Sequence, residues 1–308
     1  MSKLNAETRA VLRDLKAIVP LVKGDPDLSV VRRAYDDVFV RWTAPPSGRT
    51  CERWVNCRQL GDGNRVLVIE PADGGPGATT LVLIHGGGWS LGTAHCYAPL
   101  GRWLCAELGG RVLVPDFPQA PEHTAPAQTN ALAGLLVWAS SEFGNAFALM
   151  GDSAGGNLAA VLANNPPEGV SIQAQALLYP VVDLRPDAEY PSRRKFGKGR
   201  HFLTVDAIVG AAMQYAGETP PDSPLLTPML ADDFSVTPPT VILVPECDPL
   251  FDEGVAYGTL LKQHGVHTEV VIAKGTIHGC VSFSGRIPSA EASLIKVCEF
   301  LTNQRLRS

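Results

Sequence analysis

Phe147-Ala148-Leu149-Met150-Gly151-Asp152-Ser153-Ala154-Gly155-Gly156-Asn157-Leu158-Ala159-Ala160 runs four apolar residues straight into Gly-x-Ser-x-Gly and then into helix-forming residues. That order predicts a strand, a sharp turn and a helix. In such a turn the serine is strained and stands exposed at the end of the strand, and the flanking glycines let backbone pass where a Cβ would clash. Ser153 is thereby a candidate nucleophile. A lone hydroxyl is weak, so the chemistry also requires a histidine base, a carboxylate to orient it, and N–H donors for an oxyanion.

The surroundings of this stretch define the framework. Residues 80–84, 111–115, 147–150, 174–179, 240–244 and 268–273 are continuous apolar runs of the kind buried on both faces of a sheet. Before them, residues 53–60 and 64–70 flank Asp62-Gly63 and read as an antiparallel hairpin, and the Gly-Pro stretch 71–78 reads as the next turn. Helical segments at 97–108, 128–142, 157–164, 252–264 and 290–304 alternate with the strands. The expected architecture is a single α/β domain over residues 1–308, with a mostly parallel sheet of about eight strands and helices on both faces.

Two segments stand outside this alternation. In residues 1–45, Leu4, Val11, Leu12, Leu15, Ile18 and Val19 follow a helical period with Asn5 as N-cap; a second helix is expected after Pro26, through Leu28, Val31, Tyr35 and Val38. Residues 183–239 contain many prolines, the basic run Arg193-Arg194-Lys195 with Lys198 and Arg200, and one amphipathic stretch at 205–215. A long excursion of this kind is functional or has its own structure. Both segments are expected to form a helical cap, although the first also reads as a simple docked arm. The basic run reads as a solvated face or as a selector of acidic substrates.

Composition narrows the partners. With 45% hydrophobic residues and a net charge of −5, the 308-residue chain can fill a large core and has no basic footprint for nucleic acid or anionic membrane. No apolar run is long enough to span a bilayer, and the mixed charges of Lys3, Glu7, Arg9, Arg13 and Asp14 leave no signal-peptide core. The expectation is a cytoplasmic protein with a small-molecule substrate and no stable membrane association. Seven cysteines without C-x-x-C spacing fit reduced thiols, Cys51 and Cys57 being the one pair close enough in sequence to check.

In an open α/β sheet the partners of Ser153 should follow the carboxyl ends of strands. His85-Gly86-Gly87-Gly88-Trp89, Asp248 and His278 all do. The glycine run supplies amide hydrogens without side chains in the way, and Gly86, Gly87 and Ala154 are the expected oxyanion donors. A phosphate loop is excluded, because the spacing is not G-x-G-x-x-G and no clear helix begins at Trp89. Of the histidines, His85 lies in the glycine run, His123 in a Pro-rich loop, and His264 and His267 before the last strand; His278 alone follows it. Among Glu246, Asp248, Asp252 and Glu253, the last two open a helix and read as caps, while Asp248 sits in the loop beside Pro249 and is preferred to Glu246. Asp152 is too near Ser153 in sequence to reach the far side of the imidazole and is expected to brace the turn. The order Ser153, Asp248, His278 is that of α/β-hydrolases.

With these motifs, together with Asp248-Pro249-Leu250-x-Asp252-Glu253 and His278-Gly279, the chain resembles the hormone-sensitive lipase family of esterases within the α/β-hydrolase superfamily over residues 50–308. The resemblance implies the α/β-hydrolase fold with a helical cap and a carboxylesterase working through Ser153, His278 and Asp248 without metal or organic cofactor. Small to medium acyl esters are the implied substrates, and relatives commonly form homodimers. His-Gly-Gly-x-Trp also occurs in formamide hydrolases, so an amidase, formamidase or lactone hydrolase is the alternative. A hormone receptor built on this fold would lack the histidine that is present here. Two departures stand out: Phe117-Pro118-Gln119-Ala120-Pro121-Glu122 replaces Tyr-Arg-Leu-Ala-Pro-Glu, losing an arginine, and Cys280 replaces a common phenylalanine, which implies a smaller pocket wall and a thiol open to reagents.

Overall fold

The structure, a computed structural model, describes residues 3–18, 27–74 and 80–305; Val19, Pro26 and residues 75–78 of the expected Gly-Pro turn lie outside them. Eight strands form one sheet: β1 (Thr50–Asn56), β2 (Arg65–Pro71), β3 (Thr80–Ile84), β4 (Val112–Pro115), β5 (Ala146–Asp152), β6 (Ser171–Leu178), β7 (Thr240–Pro245) and β8 (Thr268–Ala273), in the order β1-β2-β4-β3-β5-β6-β7-β8. β2 is antiparallel to both β1 and β4, and the remaining pairs are parallel. β5 therefore lies deep inside the sheet.

Alternate residues of each inner strand feed two separate cores, as the period of two requires. Leu81, Leu83, Val112, Val114, Ala148 and Met150 point to one face, where α3 (Ala94–Leu108) and α9 (Pro288–Arg305) cover them. Val82, Ile84, Leu113, Phe147 and Leu149 point to the other, under α4 (Ala127–Phe143), α5 (Ala154–Asn164) and α8 (Phe251–Gln263). Burial on both faces explains why these strands read as unbroken apolar runs. Among the described residues no helix is long and apolar enough to cross a membrane.

Two sequence expectations change. The first strand ends at Asn56, and Arg58–Leu60 forms a 3₁₀ turn that buries Leu60, so the hairpin arm is shorter than 53–60. β8 is an edge strand whose middle residues are partly exposed, Ile272 by 45%, because no further strand covers it. Cys51, exposed, and Cys57, buried, are not bridged.

Both segments outside the alternation carry helices among their described residues. Asn5 caps α1 (Ala6–Ile18), its Oδ1 accepting from Thr8 N–H at 2.7 Å, and Asp27 caps α2 (Leu28–Phe39) through Ser29 N–H. Residues 183–239 carry α6 (Pro191–Phe196) and α7 (Val205–Ala216). The basic run is not uniformly solvated. Arg193 is buried and clamps Glu253 through Nε at 3.0 Å and Nη2 at 2.6 Å, while Glu253 also accepts from Val182 N–H. Asp252 accepts from Ser192 N–H at 2.7 Å. The acidic pair at the start of α8 thus ties α6 down in addition to facing the helix dipole.

Removing one member of a buried, hydrogen-bonded ion pair leaves the other charge unpaired, at a cost of about 3–5 kcal/mol. Arg193→Leu is therefore expected to lower the unfolding free energy by that amount in urea denaturation. An unchanged midpoint would show that the pair does not anchor this segment.

Candidate active site

Ser153 terminates β5 and precedes α5, with φ 54° and ψ −118°. Such a conformation in a non-glycine residue costs about 1–3 kcal/mol and persists only where its surroundings dictate it. Here they do. A Cβ on Gly155 would lie 2.1 Å from the Ile84 carbonyl oxygen, and one on Gly151 would lie 2.1 Å from that of Gly155. The turn is closed by Ser153 N–H donating to Leu178 O at 2.9 Å and by Val181 N–H donating to Ser153 O at 3.2 Å.

His278 and Asp248 arrive from the loops after β8 and β7. His278 Nε2 is 2.9 Å from Ser153 Oγ, and Nδ1 is 2.8 Å from Asp248 Oδ2. The second oxygen of Asp248 accepts from Leu250 N–H at 2.9 Å, so both oxygens are engaged. Because a carboxylate only accepts, Nδ1 carries the proton and Nε2 is left to accept from the serine hydroxyl. The imidazole is held edgewise by Tyr179, with ring centroids 4.8 Å apart. Glu246, the alternative carboxylate, instead accepts from Gly275 N–H at 2.9 Å and steadies the loop that carries the histidine.

The oxyanion donors need one correction. Gly86 N–H lies 2.7 Å from Asp152 Oδ1 and 3.2 Å from the Tyr97 hydroxyl, so it is already engaged and does not face the cavity. Gly87 and Gly88 do line the cavity, and among the described residues neither amide donates to a protein acceptor. Ala154, first in α5, has an amide without an intrahelical partner and lies at the positive end of the helix dipole. The available set is Gly87, Gly88 and Ala154. Gly87 adopts φ 106°, and a Cβ there would meet the Leu91 carbonyl oxygen at 2.2 Å, so the loop permits only glycine.

Asp152 braces this arrangement. Its carboxylate accepts from Gly86 N–H and, at 3.0 Å, from the Tyr97 hydroxyl, while Tyr35 on α2 reaches the same hydroxyl at 3.3 Å. Burial pushes the Asp152 carboxyl up to about 6. The Phe117–Glu122 stretch, which lacks the arginine, is held by one from outside it: Arg32 of α2 donates from Nε to Ser90 O and from its Nη atoms to Ala120 O and to both oxygens of Glu122. Gln119 donates to Gly92 O at 2.7 Å. Cys280 is fully buried, with its thiol pushed up to about 12 by burial, and it does not line the cavity. Phe202 and Phe283 pack around Gly279 instead, so the expected gap and reagent-accessible thiol are not found.

Above Ser153 lies a cavity of about 540 Å³, walled by Leu28, Val31, Tyr35 and Phe39 of α2, by Phe202 and Leu203, and by Ala207, Ile208 and Ala211 of α7. Among the described residues, Asp152 is the only acidic side chain that lines it, and no Lys or Arg does. Sequence reasoning missed Gly88, Tyr97, Tyr179 and Arg32. Gly88 was visible in the glycine run; the others join the site only through packing.

The family described as alpha/beta hydrolase fold matches residues 81–282. The carboxylic ester hydrolase LipN of Mycobacterium tuberculosis is 36% identical over 67% of this chain and 58% of its own length, so the matched stretch spans little more than half of that relative. Ethyl acetate hydrolase of Pseudomonas putida is 30% identical over 72% of each chain. Among solved structures, a hyperthermophilic esterase from the archaeon Pyrobaculum calidifontis superposes with a TM-score of 0.85 at 29% identity, covering 98% of both chains.

Asp152→Ala removes the shortest partner of the Gly86 amide and the acceptor of the Tyr97 hydroxyl, leaving them only the longer contacts at 3.2 and 3.3 Å; a loss of about 1–3 kcal/mol is expected in the unfolding free energy. For Asp152→Asn the pH dependence is diagnostic. The folded chain holds this proton up to about 6, whereas the unfolded chain releases it near 3.8, so native stability from this group is present below about 4 and is lost as pH rises through about 6. Native stability relative to the Asn variant is expected to fall across that window; a flat difference in urea titrations would contradict the raised carboxyl.

Proposed function

Because the chain belongs to the α/β hydrolase fold family, we propose that it is a serine carboxylesterase acting on neutral esters of small to medium acyl groups. The observation that carries this reading is the unbroken hydrogen-bonded run from Asp248 through His278 to Ser153, at 2.8 and 2.9 Å. The resemblance to hormone-sensitive lipase esterases is matched by relatives named for ester hydrolysis. The amide and lactone alternatives gain no support from those names.

In the first step the Ser153 hydroxyl attacks the ester carbonyl carbon while its proton passes to His278 Nε2. Asp248 stabilises the imidazolium through Nδ1–H and keeps the ring in the orientation that presents Nε2. The carbonyl oxygen becomes an oxyanion, held by the amides of Gly87, Gly88 and Ala154 and favoured by the positive end of α5. As the carbon–oxygen bond to the alcohol breaks, His278 returns the proton to the leaving oxygen. Water then attacks the acyl-enzyme, His278 takes its proton, and the carboxylic acid leaves as Ser153 Oγ is reprotonated.

Residues 1–45 and 183–239 serve as the cap. Their apolar side chains enclose a space of about 540 Å³ that suits a neutral substrate of modest size. The tie from Tyr35 through Tyr97 to Asp152 joins the cap to the loop that carries the oxyanion donors.

Ser153→Ala is expected to reduce kcat to the residual level left by binding and the oxyanion hole, about 10³–10⁴-fold above the reaction in water, and to abolish labelling by a fluorophosphonate. p-Nitrophenyl acetate turnover and mass spectrometry of the labelled chain measure both. Near-normal turnover by the variant would overturn the assignment of Ser153.

A further inference from the structure

A second chamber, of about 260 Å³, lies beside the cavity of Ser153, and the two share Val181 and Ile208 in their walls. Each of these residues is at least nine-tenths buried. The partition between the chambers is therefore one layer of side chains. It stands beside the nucleophile, since Val181 N–H donates to the carbonyl of Ser153.

Helix α7 presents a different stripe to each side. Ala207, Ala211 and Gln214, spaced by four and three residues, face the cavity of Ser153, whereas Val209, Ala212 and Ala216 face the second chamber. Ile208 sits on the boundary between the stripes. The charged residues around the second chamber are occupied with one another: Asp183 accepts from Arg185 and from the Tyr190 hydroxyl, and Arg193 is paired with Glu253. What remains for an entering group is an apolar surface that includes Leu184, Val209, Ala212 and Met213.

We propose that Ile208, backed by Val181, sets the upper limit on substrate chain length by closing the cavity of Ser153 off from a latent apolar subsite beneath α7. The occupant of that subsite is the distal hydrocarbon of an ester whose carbonyl lies at Ser153. This proposal rests on the esterase reading. Shortening Ile208 joins the chambers and gives a longer chain a path from the nucleophile past Ala212.

The test compares kcat/KM for p-nitrophenyl esters from acetate to dodecanoate in the native chain, Ile208→Ala and the milder Ile208→Val, with rates referred to sites titrated by a fluorophosphonate. Misfolded material is thereby left out of the count. The long-to-short ratio is expected to rise in Ile208→Ala by roughly fourfold for each methylene newly buried, and to rise less in Ile208→Val. Adding Ala212→Phe, which fills only the second chamber, is expected to return the ratio toward the native value. An unchanged ratio in both Ile208 variants, a rise that is equal at all lengths, or a gain that survives Ala212→Phe would overturn the proposal. Failure of the esterase reading would look different: the native chain would neither label at Ser153 nor turn over the acetate.

Discussion

The turn at Ser153 is the constraint on which the rest of the molecule depends. Its backbone is forced into a left-handed conformation between a buried strand and a buried helix, and it is closed by hydrogen bonds to Leu178 and Val181. The close approach of Gly155 to the end of β3 admits no side chain. One consequence is that the hydroxyl, the start of α5 and the glycine loop after β3 keep fixed relative positions without any large element having to move. A few kilocalories of local strain are offset by the packing of eight strands and five helices.

Asp152 extends this rigidity sideways. A carboxylate buried next to Ser153 would be costly if unpaired, and its pairing with Gly86 and Tyr97 holds the first glycine of the loop away from the cavity. The loop then offers its next two amides to the substrate side. The same tyrosine touches Tyr35, and Arg32 one turn earlier on α2 grips Ser90 and Ala120. An N-terminal helix therefore helps to hold the loop that is proposed to stabilise the oxyanion, and its Arg32 also binds the Phe117–Glu122 stretch.

The proposed cap divides space as well as covering it. With one carboxylate and no Lys or Arg among the described residues that line the cavity, selection among neutral substrates falls mainly to shape, and shape depends on α7, whose two faces border two chambers. The buried Arg193–Glu253 pair fixes α6 to α8, and Glu253 also accepts from Val182 N–H, next to the partition residue Val181 that closes the Ser153 turn.

The sequence alone determined the order of strands and helices, because burial on both faces writes strands as unbroken apolar runs, and it singled out Ser153, Asp248 and His278 as candidates whose side chains meet, because each follows a strand on the carboxyl side of the sheet. It could not decide which glycine amides are free, since that depends on where the Asp152 carboxylate points, nor that Arg193 would be buried while its neighbours are solvated. Arg32, Tyr97 and Tyr179 carry no local signal; they matter only because folding brings distant elements together. Periodicity and turn chemistry are local properties that a sequence displays directly, whereas hydrogen-bond partners and cavity walls are set by contacts between residues far apart in the chain, and only the tertiary structure fixes those.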